Sequence, residues 1–139
     1  MITVATPAEL GRFIGQEQRS PSGLVVDAAM VEAFLALCGD GNPIHQGADA
    51  IVPGNLLLAQ LPRFLQALFR VGHCRRSLLA GYRAVRFRRP VPVGACVHLA
   101  ATLAAVTPAR DLVRVETACR VLHGEAVALT ADVTDVYMV

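Results

Sequence analysis

Apolar and polar residues alternate along much of the second half of the chain, which is the pattern of a β-sheet with one face in water. Between residues 112 and 123 the odd positions are apolar or Thr, and Arg114, Glu116 and Arg120 lie between them. The alternation predicts four strands, at Leu79–Arg89, Ala95–Val106, Leu112–His123 and Ala126–Tyr137.

The connections between these four segments are rich in turn-forming residues. They predict hairpins at Pro90–Gly94, at Thr107–Asp111 and around His123 and Gly124. The stretch from Pro90 to Ala109 contains no Asp, Glu, Lys or Arg. We therefore expect the second strand to be covered on both faces.

The first half of the chain has helical periodicity instead. Residues 6–14 predict a short helix, because Thr6 can cap it and Pro follows at its first position. Residues 24–26 predict a short extended segment, and Asp27 can cap a second helix that Gly39 ends. The apolar stripe of this second helix consists of Met30, Val31, Phe34, Leu35 and Cys38.

The segment Asn55–Val71 is apolar on almost every side when it is drawn as a helix. Such a helix is buried over most of its surface. Pro62 lies in its interior, where it removes one backbone hydrogen bond at a cost of about 3 kcal/mol. We expect a bend at this position.

The order of these elements predicts the fold class. A helix, a loop and a buried helix are followed by an antiparallel meander, which indicates an α+β domain whose sheet curls around one apolar helix. This is the hot-dog layout. The length of 139 residues fits one domain with a single core, so we expect residues 1–139 to form one hot-dog domain.

The composition is 54% apolar and 17% charged, with a mean hydropathy of +0.48, and it excludes a disordered chain. No run of about 18 apolar residues could span a membrane, and the first residues lack the features of a signal peptide. We therefore expect a cytoplasmic protein without a membrane partner.

The apolar surplus predicts an apolar ligand pocket or burial between subunits, and we expect at least a homodimer.

All 13 basic residues are Arg, although the net charge is only +2. Eight of them lie between Arg63 and Arg89, a stretch without any acidic residue. This cluster is either a solvated face or an anion site, since guanidinium groups bind phosphate in a bidentate way. The modest overall charge argues against a nucleic-acid partner.

The four cysteines, Cys38, Cys74, Cys96 and Cys119, are too widely spaced for a zinc site, and we expect no metal. Without a secretory signal, such thiols most often behave as small core residues.

The segment from Cys38 to His45, CGDGNPIH, is the one that indicates chemistry. It places a carboxylate at Asp40 and an imidazole at His45 in a turn stiffened by Pro43. Either residue alone would be an ordinary loop residue. Together they could hold one water between two titratable groups, as general acid and base chemistry on a double bond requires.

This segment matches the Gly-Asp-x-Asn-Pro-x-His signature of the MaoC-like dehydratases, the R-specific enoyl-CoA hydratases. The resemblance continues through Ile51–Leu58 and Arg86–Gly94 and covers most of the chain from Asp27 onwards. It implies a hydro-lyase that adds water to a trans-2-enoyl thioester, with enoyl-CoA as the first candidate, and gives an (R)-3-hydroxyacyl thioester, or the reverse. It implies no cofactor besides the CoA or carrier-protein thioester that is the substrate, and it places the reaction in fatty acid metabolism.

The resemblance also implies roles for individual residues. Asp40 and His45 would be the acid and base pair, with Asn42 and Pro43 fixing the turn. The backbone N–H of Gly54 would bind the thioester oxygen, because N–H groups at a helix N-terminus are unpaired and favour negative charge. The candidates for binding the CoA phosphates are Arg86, Arg88 and Arg89.

The chain departs from the family pattern in three places. The stretch from His45 to Gly54 is shorter than usual, so the segment that shapes the acyl pocket is trimmed. Pro53 stands where the family commonly has His, and Pro62 stands about where some members have Ser.

Two other functions remain open from the sequence. A hot-dog thioesterase usually places its carboxylate on or beside the central helix, and the segment Asn55–Val71 contains no Asp or Glu. A non-catalytic acyl-thioester-binding module is favoured by the trimmed loop and by Pro62.

Overall fold

Eight strands and three α-helices make up the fold in a computed structural model that describes all residues from 1 to 139. The helices are α1 (Ala28–Cys38), α2 (Gly54–Ala59) and α3 (Leu61–Leu68). The strands are β1 (Ile2–Val4), β2 (Glu17–Arg19), β3 (Leu24–Val25), β4 (Phe69–Val71), β5 (Arg76–Phe87), β6 (Cys96–Pro108), β7 (Leu112–His123) and β8 (Ala126–Met138).

The four predicted long strands are present, but their order in the sheet differs from a simple meander. Strands β6, β7 and β8 are consecutive antiparallel neighbours, and β5 pairs with β8. Strands β2 and β3 pair with the free side of β6. The hairpin predicted at Pro90–Gly94 was therefore wrong, because this connection leads across the sheet from β5 to β6.

The helices α2 and α3 lie against the concave face of this sheet, with α2 next to β8 and α3 next to β6. Burial of a large apolar side chain contributes about 1.5–3 kcal/mol, so this contact supplies much of the stability. The helix residues in the core are Leu56, Leu57, Leu61, Phe64, Leu65 and Leu68. The predicted fold, a sheet curled around a central helical segment, is confirmed.

The central helical segment differs in detail from the predicted helix. It is interrupted at Gln60, and Pro62 stands in the first turn of α3, where a missing N–H costs little. The predicted bend is thus present. The helix ends at Leu68, because residues 69–71 form β4 and pair with β1, a partner too distant in sequence to be inferred from local periodicity.

The central helical segment is buried over most of its surface, as predicted, and is exposed along one stripe. Asn55, Ala59, Arg63 and Ala67 are exposed and are spaced by four residues, so they form one solvent-facing stripe. The sheet therefore covers most of the helix circumference and leaves one edge open.

The first half of the chain follows the predicted caps. Asp27 accepts a hydrogen bond from the N–H of Met30 at 2.9 Å, and Gly39 ends α1 in the left-handed conformation with φ of 69°. Residues Pro7–Phe13 form a 3₁₀ helix whose capping position is Thr6, without a side-chain hydrogen bond.

Strand β6 was expected to be covered on both faces, and within the single chain one face and part of the other are covered. Val97, Leu99 and Leu103 are buried in the core. On the opposite face Ala100 is buried, whereas Cys96 and His98 are exposed. The low charge of this stretch reflects its central place in the sheet. The exposed apolar surface lies on the edge strand β5 instead, where Leu78, Leu79 and Phe87 are about half exposed, at 49%, 48% and 55%.

Only one of the four cysteines is the small core residue that the sequence predicted. Cys119 is buried, and burial raises the pKa of its thiol to about 12. Cys38 and Cys96 are exposed, and Cys74 is half-buried.

None of the helices combines the length and the apolar character needed to cross a membrane.

The inner face of β8 contains one acidic residue, Asp135. It is half-buried, faces Val115 and Leu79 across the two neighbouring strands, and forms no ion pair. Burial raises the pKa of this carboxyl above its ordinary value. Ionisation of Asp135 therefore disfavours the folded state.

We expect Asp135→Asn to stabilise the protein at neutral pH, with a melting temperature higher by about a few degrees. Below the ordinary Asp pKa of about 3.9 both states are protonated and the difference should vanish. As the pH rises through that value and then through the raised native pKa, the wild type loses stability relative to the variant. Thermal unfolding at several pH values tests this, with Asp132→Asn on the opposite face of β8 as control. An equal effect of both substitutions would contradict it.

Candidate active site

The loop between α1 and α2 holds Asp40 and His45, and its own polar side chains fix its shape. One carboxylate oxygen of Asp40 accepts a hydrogen bond from the N–H of Asn42 at 2.9 Å. The side-chain oxygen of Asn42 accepts one from the N–H of Ile44 at 3.1 Å and caps the 3₁₀ turn Pro43–His45. Asp and Asn favour such turns because their short side chains reach the backbone two residues on.

The orientation of the His45 ring is set by the backbone. Its Nδ1 lies 2.9 Å from the carbonyl oxygen of Ile51, which can only accept, so Nδ1 carries a proton. In the neutral ring Nε2 is therefore unprotonated. This Nε2 atom lies 3.6 Å from Oδ2 of Asp40.

The environments of the two side chains differ. The side chain of His45 is only 11% exposed, and that of Asp40 is 40% exposed. Their separation is too long for a direct hydrogen bond but suits two groups that share a water. The pair therefore combines a fixed, sheltered imidazole with a carboxylate that is open to solvent.

The trimmed segment between His45 and Gly54 is tied to the rest of the fold by backbone hydrogen bonds. The N–H of Ile51 donates to the carbonyl of Ile44 at 3.1 Å, and the N–H of Val52 donates to that of Val91 at 2.7 Å. The loop is thereby attached to the connection between β5 and β6. The position of His45 thus depends on the crossing strand connection as well as on its own turn.

Asp40 and His45 line a cleft of about 540 Å³. This volume is typical of a small-molecule site. The wall opposite the pair is formed by the start of α2 and by the end of β5, including Gly54, Asn55, Phe87 and Arg88.

Gly54 is the first residue of α2 and borders the cleft. The first hydrogen bonds of this helix run from Leu56 and Leu57 to the carbonyl of Pro53, so the N–H groups of Gly54 and Asn55 precede them. These groups are available to an oxygen atom in the cleft. A side chain at position 54 would have its Cβ 2.5 Å from the ring of Phe87, so any residue other than glycine would force this ring to move.

The three candidate phosphate-binding arginines lie in the last part of β5 or directly after it. Arg88 and Arg89 border the cleft, and Nε of Arg88 donates to the hydroxyl of Thr130 at 3.2 Å. Arg86 is paired with Thr130 across the sheet and does not border the cleft. The structure thus brings together two of the three arginines with Asp40 and His45.

Two aromatic residues of the cleft were not predicted as site residues. Phe34 was assigned only to the apolar stripe of α1, and Phe87 only to a strand. The sequence feature that could have identified Phe87 is its position at a strand end, directly before Arg88 and Arg89. Isolated exposed apolar residues are common on protein surfaces, so this feature is a weak indication of a site.

Three relatives show what the chain is similar to, although no family model matches it. The 3-hydroxyacyl-thioester dehydratase Z of Mycobacterium tuberculosis is 27% identical over 115 residues, which cover 76% of each protein. The structure of the (R)-hydratase from A. caviae involved in PHA biosynthesis superposes with a TM-score of 0.63 and 25% identity, over 88% of this chain and 94% of that one. The MaoC-like dehydratase from Rhodospirillum rubrum superposes with a TM-score of 0.68 and 19% identity, over 90% and 92%.

The third of these similarities is one of fold, and the first two add similarity of sequence. The predicted resemblance is thereby confirmed: the chain has the hot-dog fold and is similar to the MaoC-like dehydratases and the (R)-hydratases.

Proposed function

We propose that this chain is a hydro-lyase that adds water to a trans-2-enoyl thioester, with enoyl-CoA as the first candidate, or catalyses the reverse dehydration. The observation that carries the proposal is the arrangement of His45 Nε2 and Asp40 Oδ2, 3.6 Å apart at the edge of the cleft. Similarity to two proteins named as a hydratase and a dehydratase supports the reaction type.

In the proposed mechanism the pair holds the attacking water. One O–H group of the water donates to Asp40, and the other donates to the unprotonated Nε2 of His45. As the water oxygen bonds to C3 of the substrate, its proton passes to Nε2, and the π electrons move towards the thioester carbonyl. The imidazolium then returns a proton to C2. The neighbouring carboxylate stabilises the positive ring in between.

The negative charge that develops on the thioester oxygen in the transition state has to be stabilised by a hydrogen-bond donor. Gly54 lines the cleft, and its N–H precedes the first hydrogen bonds of α2, so we assign it this role. Removal of one such donor typically lowers the rate by about 10²- to 10³-fold.

Hydrolysis is less well supported by the same site. A thioesterase of this fold would place a carboxylate on or beside the central helix, and α2 and α3 contain no Asp or Glu. The available carboxylate, Asp40, lies in the loop with His45 instead. This arrangement favours water addition to the double bond.

We expect Asp40→Asn and His45→Ala each to lower kcat for crotonyl-CoA hydration by about 10²- to 10⁴-fold, because each removes one partner of the bound water. The loss of enoyl absorbance measures the reaction directly. Asp49→Asn, an exposed carboxylate on the same loop, is the matched control and should leave the rate unchanged.

Two results would contradict this proposal. A wild-type protein without turnover on enoyl-CoA and on carrier-bound enoyl thioesters would indicate a binding module. Release of free thiol from saturated acyl-CoA, lost in the Asp40 variant, would indicate a thioesterase.

The CoA phosphates are proposed to bind Arg88 and Arg89. We expect Arg88→Gln and Arg89→Gln to raise KM for crotonyl-CoA by about tenfold, since a charge-assisted hydrogen bond contributes about 1.5–3 kcal/mol. The KM for crotonyl-pantetheine, which lacks the nucleotide phosphates, should hardly change. Arg86→Gln, outside the cleft, is the control. Equal losses for both substrates would refute phosphate binding.

We also propose that the chain forms a homodimer through β5. This strand pairs with β8 on one side only, so its other edge offers unpaired backbone groups over most of its length. The half-exposed Leu78 and Leu79 lie on the same strand. A second copy that pairs with this edge would cover both the backbone groups and the apolar side chains.

We expect Leu78→Lys to weaken the dimer by about tenfold or more, because the substitution places a charge in the interface. Analytical ultracentrifugation over a range of concentrations measures this. Leu37→Lys is the matched control, since Leu37 is 85% exposed on α1, far from β5 in sequence. A monomeric wild type, or a dimer that is insensitive to Leu78→Lys, would contradict the proposal.

A further inference from the structure

A second, smaller cavity of about 60 Å³ lies between α3 and the inner face of the sheet. It shares no lining residue with the cleft at Asp40 and His45. Its apolar walls come from the helix, at Leu61, Pro62 and Leu65, and from the sheet, at Leu79, Leu103, Val115 and Val133. Its polar side chains are Gln66, Ser77, Tyr82, Thr117, Asp135 and Tyr137.

The carboxylate of Asp135 has no partner in the protein. It forms no ion pair with any of the arginines, and burial alone accounts for its raised pKa, without a hydrogen bond from Tyr82 or Tyr137. Charged groups in protein interiors are normally paired, and unpaired ones are concentrated at functional sites. Asp135 is therefore a hydrogen-bond acceptor that lines this cavity and forms no hydrogen bond with the protein.

The two tyrosines beside Asp135 remain hydrogen-bond donors. Burial, and the negative charge of Asp135, raise the pKa of Tyr137 to about 12 and also raise that of Tyr82. Both hydroxyls thus stay protonated at neutral pH. They can donate to an oxygen of a bound group, while Asp135 accepts a hydrogen bond from the same group.

The central helical segment borders both the cleft and this cavity. Leu57 of α2 lines the cleft, and Leu61 and Leu65 of α3 line the cavity. The interruption at Gln60 lies between the two sets of residues. An acyl chain that starts at Gly54 and follows this segment leads towards Asp135.

We propose that the cavity binds the distal end of the acyl group and that this end carries a hydrogen-bond donor, a hydroxyl or a primary ammonium group. The proposal rests on the proposed function, because it assigns the substrate of the same site. A purely apolar chain end would displace water from the half-buried Asp135 carboxylate without offering it a hydrogen bond. A donor at the chain end removes this penalty.

The test compares enoyl-CoA esters, from butenoyl to decenoyl, that end in a methyl, a hydroxyl or an ammonium group. At one chain length we expect kcat/KM of the wild type to be about tenfold higher for a donor-bearing ester than for the methyl ester, which corresponds to about 1.4 kcal/mol. Asp135→Leu should reverse this preference. In Asp135→Asn the preference for the hydroxyl ester over the methyl ester should be kept in part. The preference for the ammonium ester over the methyl ester should be lost, because the variant has no negative charge at this position.

Asp132→Asn, on the opposite face of β8, is the matched control and should leave the ratio unchanged. A wild type that prefers the methyl ester at every length, with a ratio that Asp135→Leu does not change, would overturn the proposal. Such a result would mean that the cavity holds only water. Asp135→Asn keeps the test informative if the leucine variant does not fold.

A binding measurement separates this proposal from the proposed reaction. Calorimetry with ω-hydroxyoctanoyl-pantetheine and octanoyl-pantetheine requires no turnover. Tighter binding of the hydroxylated ligand that depends on Asp135, in a protein inactive on all enoyl thioesters, would support the cavity and refute the hydratase. Normal turnover with equal binding of both ligands would refute the cavity assignment alone.

Discussion

The packing of α2 and α3 against the concave face of the sheet is the constraint on which the rest of the structure depends. It buries the leucine stripe of the helices against Val97, Leu99 and Leu103. It also fixes where the start of α2 lies, and Gly54 is its first residue. Because the end of β5 passes the same point, the sheet brings Phe87 and Arg88 to the helix start. The core contact therefore builds one wall of the cleft.

The other wall depends on backbone hydrogen bonds instead of apolar packing. Asp40 and Asn42 shape their own turn, and Ile51 orients the ring of His45. Each of these contacts spans six residues or fewer, so the loop is largely organised by its own sequence. Val52, bonded to Val91, attaches this local unit to the sheet. A short loop can thus hold a precise pair of titratable groups although it contributes little to the core.

Local signals in the sequence predicted local features well. The alternation in β7, the Asp27 cap and the Gly39 end of α1 depend on neighbouring residues, and all three are present in the structure. Features that depend on distant partners were missed. The pairing of β5 with β8, and of residues 69–71 with β1, is decided by which chain segments meet in space. For the site, the signature located Asp40 and His45, but it could not separate Arg86 from Arg88, because only the assembled fold shows that β5 ends at Phe87 and that the residues after it border the cleft.

The same distinction between local and long-range signals explains why Asp135 was not noticed in the sequence. In β8 it is one acidic residue in a strand that also contains Asp132, and alternation alone assigns neither of them a function. Only the assembled sheet shows that Asp132 faces outwards while Asp135 faces the helices. A sequence that maintains a carboxylate at this inner position accepts a cost in stability, since Leu or Val would fill the same site without desolvating a charge. A group that carries a cost in the folded state is explained most directly by a ligand that removes the cost on binding, and the central helical segment borders the cleft with α2 and the cavity of that group with α3.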